Sequence, residues 1–126
     1  MAYIIACLMA ALSFVANKAL LRLIGPQVIL TWGPIVEEGA KTLLAWYLVA
    51  DIVATHVIFG VLEGVYDYLT GSRYRTQAAL TSVVCHTLFG GITVTLLGFT
   101  GSIWIAVGGA VIAHAAWNRA VIRLQR

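Results

Sequence analysis

The chain has 126 residues, of which 61% are hydrophobic and 10% are charged. Soluble domains carry about 25% charged residues, so 8 basic and 5 acidic side chains are too few for a water-exposed surface of this size. This composition excludes nucleic-acid binders, soluble dinucleotide-binding enzymes and secreted disulfide-linked scaffolds. It predicts a protein embedded in the lipid bilayer.

Five apolar segments are long enough to cross a bilayer as helices, which takes about 20 residues each. Their apolar runs are continuous, whereas the strands of an outer-membrane barrel alternate. We therefore predict an all-α polytopic membrane protein in which residues 1–126 form one domain, a bundle of about five transmembrane helices. The predicted spans are approximately 2–23, 26–50, 52–70, 78–98 and 102–122.

Basic residues mark one face of the predicted membrane protein. They occur at the first and third junctions and in the C-terminal tail, whereas the second junction carries only an acidic residue and the fourth carries no charge. By the positive-inside rule this face is cytoplasmic, which predicts an external N-terminus and a cytoplasmic C-terminus. The basic residues concerned are Lys18, Arg22, Arg73, Arg75, Arg123 and Arg126.

Polar side chains inside the spans are the main functional signal, because a charge at the centre of a transmembrane helix costs roughly 2.5–3.5 kcal/mol. At a rise of about 1.5 Å per residue, Glu37 lies about 17 Å from the cytoplasmic end of its span, and residues 63, 86 and 114 lie about 11–12 Å from theirs. Similar depths on four helices predict one shared site. The embedded polar residues are Glu37, Glu38, Lys41, Glu63, Asp67, His86, His114 and Asn118.

Local spacing assigns some of these groups to common helix faces. Lys41 follows Glu37 by four residues and Glu38 by three, so we expect it to neutralise one of the two carboxylates. His114 and Asn118 are also four residues apart and share a face.

Proline and glycine predict two local features of the bundle. Pro34 removes a backbone donor one turn before the glutamate pair, which predicts a kink in the second span. Gly60 and Gly64 are small residues on one face beside Glu63, and this spacing predicts a close approach to a neighbouring helix.

Four short motifs follow one another on successive predicted helices. In order, spacing and placement they resemble the motifs of PrsW-type intramembrane proteases, a family similar to the CAAX prenyl endopeptidase and Abi superfamily, over roughly residues 26–122. The pattern departs from both branches, because Glu63 stands where CAAX relatives usually carry His and Asn118 stands where PrsW relatives often carry Asp. The motifs are EExxK at Glu37, Glu38 and Lys41, FxxxE at Phe59 and Glu63, a single His at His86, and HxxxN at His114 and Asn118.

The resemblance implies an intramembrane endopeptidase that hydrolyses a peptide bond with a water activated by glutamate. Glu37 is the expected base, and Glu38 is expected to be held by Lys41. The implied substrate is a membrane-embedded or lipid-anchored peptide, and the implied location is a prokaryotic plasma membrane. Because the chain is shorter than the usual family fold, we also expect a homo-oligomer.

The resemblance also implies roles for the remaining motif residues. Glu63 and His86 are expected to orient the water, and His114 and Asn118 are expected to stabilise the oxyanion, a role suited to fixed donors in a dry site. Phe59 has a supporting role, as does the motif lysine.

Metal use stays open at this point. Glu63, His86 and His114 form a candidate zinc set with an open coordination position. PrsW-type enzymes have been classed as metalloproteases, whereas the CAAX branch resembles a metal-free glutamate protease, and the sequence contains no HExxH motif. We favour a mechanism without a tightly bound metal.

Two other functions are open to a chain with these embedded residues. A small proton-coupled transporter would also use embedded carboxylates, and an inactive scaffold would bind another membrane protein through the same cavity.

His56 is expected to be an interfacial histidine near the outer end of the third span. Asp67 is expected to pair with Arg73, Arg75 or Arg119.

Overall fold

A computed structural model describes residues 1–71 and 73–124. Within these residues the chain is an all-helical bundle, as the composition predicts. Four of the five α-helices, all except α2, are long and apolar enough to cross a membrane, so the protein is an integral membrane protein. The helices are α1 (Ala2–Ile24), α2 (Trp32–Tyr47), α3 (Ile52–Thr70), α4 (Arg75–Thr100) and α5 (Ile103–Leu124).

The segment predicted as one span, 26–50, is divided in the structure. Pro26–Leu30 forms a short 3-10 helix, and α2 begins after Thr31. In a continuous helix the ring of Pro34 would clash with the carbonyl of Leu30, which would also lack its N–H partner. The predicted kink is therefore a full helix boundary, and Pro34 falls in the first turn of α2, where proline is tolerated.

Two helix ends follow from local chemistry. Asp51 caps the N-terminus of α3, where its Oδ1 accepts a 2.8 Å hydrogen bond from the backbone N–H of Ala54. Gly101 ends α4 in the left-handed region at φ +65°, and its N–H donates to the carbonyl of Leu97. These caps fix where α3 begins and where α4 ends.

Helices α3 and α4 pack with their backbones in close contact, as the glycine spacing predicts. A Cβ on Gly60 would lie 2.9 Å from Cβ of His86, and a Cβ on Gly64 would lie 2.7 Å from the carbonyl oxygen of Ala79. Neither space accepts a side chain without movement of α4. This close approach places the α4 histidine against α3 and next to the polar face of α2.

Helix α2 is surrounded by α1, α3 and α5 and turns a polar face inward. Its buried residues include Glu37, Glu38, Lys41 and Thr42. Large apolar side chains of the other helices point outward, as Leu23 does in α1. The bundle is thus apolar where lipid covers it and polar around α2, the arrangement that a membrane-embedded site requires.

The Gly64→Ala variant tests the close contact between α3 and α4. We expect it to lower the free energy of unfolding by about 1–3 kcal/mol, because the added methyl group meets the α4 backbone. Gly91→Ala is the matched control, since nothing lies within 4 Å of the position that its Cβ would occupy. Unfolding in mixed micelles at rising fractions of sodium dodecyl sulfate measures both, and equal stabilities would contradict the packing described.

Candidate functional site

A fully buried ion pair lies at the centre of the site. Lys41 Nζ lies 2.7 Å from Glu38 Oε1, and both side chains are 0% exposed. The two residues are three apart on α2, so the helix itself brings them together. Lys41 Nζ also lies 4.3 Å from the ring centroid of Phe59, a cation–π contact with α3. The expectation that Lys41 holds one carboxylate of the glutamate pair agrees with this geometry.

The contacts of His86 fix its tautomer. Nδ1 of His86 lies 2.8 Å from Lys41 Nζ, and an ammonium group is only a donor, so Nδ1 accepts. The neutral ring therefore carries its proton on Nε2, which donates to Glu63 Oε2. Ser82 Oγ donates to the same oxygen at 2.7 Å. His86 thus connects the buried ion pair of α2 with the carboxylate of α3.

His114 joins α5 to the same glutamate. Its Nδ1 lies 2.8 Å from Glu38 Oε1, and because a carboxylate accepts, Nδ1 carries the proton. In the neutral ring Nε2 then holds a lone pair, and it lies 4.0 Å from Glu37 Oε2. The ring stacks on Phe89 with centroids 5.0 Å apart, which holds Nε2 in the direction of Glu37.

Glu37 has one oxygen bound and one without a partner. Asn17 Nδ2, from α1, donates to Oε1. Among the residues that the structure describes, Oε2 has no hydrogen-bond partner although it is buried. The two glutamates differ in what holds their bonded oxygen: Oε1 of Glu38 is held by a cation and a histidine, whereas Oε1 of Glu37 is held by a neutral amide. Among the described residues Oε2 has no hydrogen-bond partner in either glutamate, and Oε2 of Glu38 lies 3.5 Å from Nδ1 of His56.

Sequence reasoning missed Asn17, because α1 lies outside the four motifs. The available signal was an amide within an otherwise apolar run, one turn after the only other polar residue of that run, Ser13. Ser82 and Thr42 were missed for a different reason. Hydroxyl residues are common in membrane helices, so their contacts with the site depend on packing that the sequence does not reveal.

The prediction that His56 is an interfacial residue is wrong. Its side chain is 0% exposed, its Nε2 lies 3.0 Å from Thr42 Oγ1, and its Nδ1 lies 3.5 Å from Glu38 Oε2. Gly90 on α4 makes this burial possible, since a Cβ there would lie 2.9 Å from Cβ of His56. His56 belongs to the site as a third imidazole around Glu38.

Asn118 and Asp67 differ from their expected contacts. Asn118 Nδ2 donates to the backbone carbonyl of Ile29 at 2.8 Å, so it ties α5 to the 3-10 helix and lies outside the glutamate–histidine cluster. In residues 1–71 and 73–124, Asp67 forms no ion pair with Arg73, Arg75 or Arg119. It instead lines a cavity between α1, α2 and α3.

A cavity of about 750 Å³ lies between α1, α2 and α3 and reaches the site. Glu37, Glu63 and Phe59 line it at the site, and Lys18 and Arg22 line it towards the C-terminal end of α1. Most of the remaining wall is apolar. A cavity of this size lies in the range of ligand-binding sites, and Glu37 forms part of its wall.

Two groups of side chains are close enough to hold a metal ion. Glu37, His86 and His114 form one, Glu38, His56 and His86 form the other, and within each group the ligand atoms lie within 4.8 Å of one another. The set predicted from sequence differs, because it contains Glu63 in place of Glu37.

The details of the first group do not fit a tightly bound zinc ion. Both nitrogens of His86 are engaged, one of them by the cationic Lys41. Two zinc ligands at tetrahedral angles lie about 3.4 Å apart, whereas Glu37 Oε2 and His114 Nε2 are 4.0 Å apart. Zinc would require His86 to give up a partner and the site to contract.

Comparisons with known proteins identify no relative: no family model matches the sequence, and neither a curated protein nor a solved structure matches it significantly. The resemblance to PrsW-type proteases therefore stays a prediction that depends on the four motifs. The contacts within the site, and no relative, therefore indicate its chemistry.

The Lys41→Met variant tests the buried ion pair. We expect it to lower the free energy of unfolding by about 3–5 kcal/mol, because it leaves the Glu38 carboxylate buried without its cation. Adding Glu38→Gln should restore part of this loss, since the amide removes the charge while its oxygen still accepts from His114. Lys18→Met, which removes an exposed lysine, is the control. An unchanged stability of Lys41→Met in mixed-micelle unfolding would contradict the assignment.

Proposed function

We propose that this chain is an intramembrane endopeptidase of the PrsW type that hydrolyses a peptide bond of a membrane-associated protein or peptide in a prokaryotic plasma membrane. One observation carries the proposal: Glu37, whose buried Oε2 has no hydrogen-bond partner among the described residues and lies 4.0 Å from Nε2 of His114, lines a cavity of about 750 Å³. The buried Glu38–Lys41 pair supports it, because that pair leaves Glu37 as the carboxylate available for chemistry.

In the proposed mechanism one water molecule bridges Glu37 and His114. At hydrogen-bond distances of about 2.8 Å from both Oε2 and Nε2, a water oxygen would subtend an angle of about 90°, which a water molecule tolerates. Asn17 holds Oε1, so the carboxylate cannot rotate freely. Glu37 is thereby pre-oriented as a general base for water.

In the proposed reaction Glu37 takes a proton from this water while the water oxygen attacks the carbonyl carbon of the scissile bond. The tetrahedral intermediate that forms carries an oxyanion. Collapse of the intermediate breaks the C–N bond, and Glu37 returns the proton to the leaving amine. The products are a carboxylic acid and an amine, so one water molecule is consumed for each bond cleaved.

The histidines are proposed to control the charge around this reaction. For this role His114 must take up a proton from solvent at Nε2 before the reaction; the imidazolium then donates to the oxyanion, and Glu38 balances its charge through Nδ1. Glu63 and His86 are proposed to act on the side of the cavity where the substrate binds, because the Glu63 side chain lines the cavity and is 38% exposed. Asn118 holds α5 in place through its hydrogen bond to the backbone carbonyl of Ile29. Its proposed role is therefore to position α5, and it does not contact the oxyanion.

The Glu37→Gln variant tests the proposal. We expect cells that express the wild-type chain to accumulate new peptide N-termini from membrane segments, and the variant to reduce their rate of formation by about 100- to 10,000-fold, the usual contribution of a general base. Mass spectrometry of labelled N-termini measures this. Asp67→Asn is the matched control, because it neutralises another carboxylate of the same cavity.

The same pair of variants separates the alternative functions. Identical N-termini in wild type and Glu37→Gln would overturn the peptidase. Proton-driven ligand flux into proteoliposomes that is lost in Glu37→Gln would then assign a transporter. Unaltered binding of another membrane protein by both variants, with neither cleavage nor flux, would assign a scaffold.

Metal removal gives a further test. Because the group of Glu37, His86 and His114 does not fit a tightly bound zinc ion, we expect proteolytic activity to survive complete chelation, with metal analysis of the same sample showing less than one equivalent of zinc. Loss of activity on chelation and its return with zinc alone would contradict the metal-free mechanism and leave the role of Glu37 to be assigned again.

A further inference from the structure

Ser13 on α1 carries a buried hydroxyl group that its own helix does not satisfy. The residue is 3% exposed and lines the cavity, and in the described part of the chain its Oγ has no hydrogen-bond partner. Helical hydroxyl groups ordinarily bond to the carbonyl four residues earlier. In the described part of the chain, six threonines of the α-helices do so: Thr55, Thr70, Thr81, Thr87, Thr93 and Thr100.

Asn17, one turn further along α1, presents an acceptor beside this hydroxyl. Its Nδ2 donates to the Glu37 carboxylate, which fixes the orientation of the amide and leaves Oδ1 buried without a partner within residues 1–71 and 73–124. Oδ1 lies beside Gly33 of α2, where a Cβ would be 3.5 Å from it, an ordinary van der Waals distance. Ser13, Asn17 and Glu37, the residues that carry this donor, this acceptor and the Oε2 atom, all line the same cavity.

A membrane-embedded peptidase must meet a particular polar requirement. The N–H and C=O groups of a transmembrane substrate are bonded within its own helix, and a peptide bond becomes accessible only when that helix unwinds. In an apolar environment the released groups are costly unless the enzyme bonds to them. A hydroxyl donor and an amide acceptor are the groups that would satisfy a released C=O and N–H.

We propose that Ser13 and Asn17 form a main-chain strip that binds the unwound substrate as an extended peptide beside Glu37. This inference rests on the proposed peptidase function. The spacing agrees: four helical residues rise about 6 Å, and two residues of an extended chain rise about 6.6 Å. Ser13 would donate to one substrate carbonyl, and Asn17 Oδ1 would accept from an N–H two residues away.

The strip is tested by binding, independently of cleavage. The probe is a fluorescent single-span peptide of Leu and Ala with a central Gly-Gly pair, compared with an analogue in which an ester replaces the Gly-Gly amide and so removes its N–H. The protein is the full chain carrying Glu37→Gln, which keeps the peptide intact. Fluorescence anisotropy in detergent micelles gives the dissociation constants.

We expect the ester analogue to bind about fivefold more weakly than the amide, the effect of one lost hydrogen bond. Adding Ser13→Ala should weaken binding of the amide peptide by a similar factor. Thr93→Val is the matched control, because it removes a buried hydroxyl that is already bonded to Phe89 in its own helix. It should leave the dissociation constant unchanged.

The results separate this strip from the proposed peptidase function. If the amide peptide does not bind, or if the ester and Ser13→Ala leave its affinity unchanged, the strip is overturned even where Glu37-dependent N-termini appear in cells. If both changes weaken binding but no such N-termini appear, the strip stands and the peptidase is overturned.

Discussion

The arrangement of the site depends on the buried carboxylate of Glu38. Its Oε1 lies 2.7 Å from the ammonium group of Lys41 and 2.8 Å from Nδ1 of His114, and the ammonium group in turn lies 2.8 Å from Nδ1 of His86. One carboxylate thus links α2, α4 and α5. Two charges removed from water need several such contacts to offset their desolvation. The ion pair therefore acts as a structural constraint that sets the tautomers of both histidines.

This constraint gives adjacent glutamates different properties. Consecutive residues on a helix point about 100° apart, so Glu38 is paired with Lys41 and bonded to Nδ1 of His114. Glu37 is directed to the cavity and to Asn17, and its Oε2 lies 4.0 Å from Nε2 of His114. Glu38 is thus paired with a cation, whereas no lysine or arginine among the described residues forms an ion pair with Glu37. The division of roles between the two residues is thus a consequence of helix geometry.

The sequence predicted most of this arrangement, for identifiable reasons. Helical spacing is local, so it predicted the contact of Lys41 with the glutamate pair and the close approach at Gly64, and helix depth predicted that four polar helices converge. Prediction from the sequence failed where contacts depend on packing across the bundle. His56 was assigned to the interface from its distance to the helix end, and burial by Gly90 overrides that distance. The role of Asn118 at the oxyanion was implied by the motif resemblance, and in the structure its amide donates to a backbone carbonyl of the 3-10 helix.

Helix α2 has only 16 residues, about 24 Å at 1.5 Å per residue, and it carries two glutamates and a lysine. On insertion scales such a segment does not partition into lipid by itself. Its place in the membrane therefore depends on α1 and α3, which bracket it along the chain and are apolar enough to insert alone. During synthesis α2 has to be held next to its neighbours until α4 and α5 supply the histidines. The polar site is therefore complete only after α5 has joined the bundle.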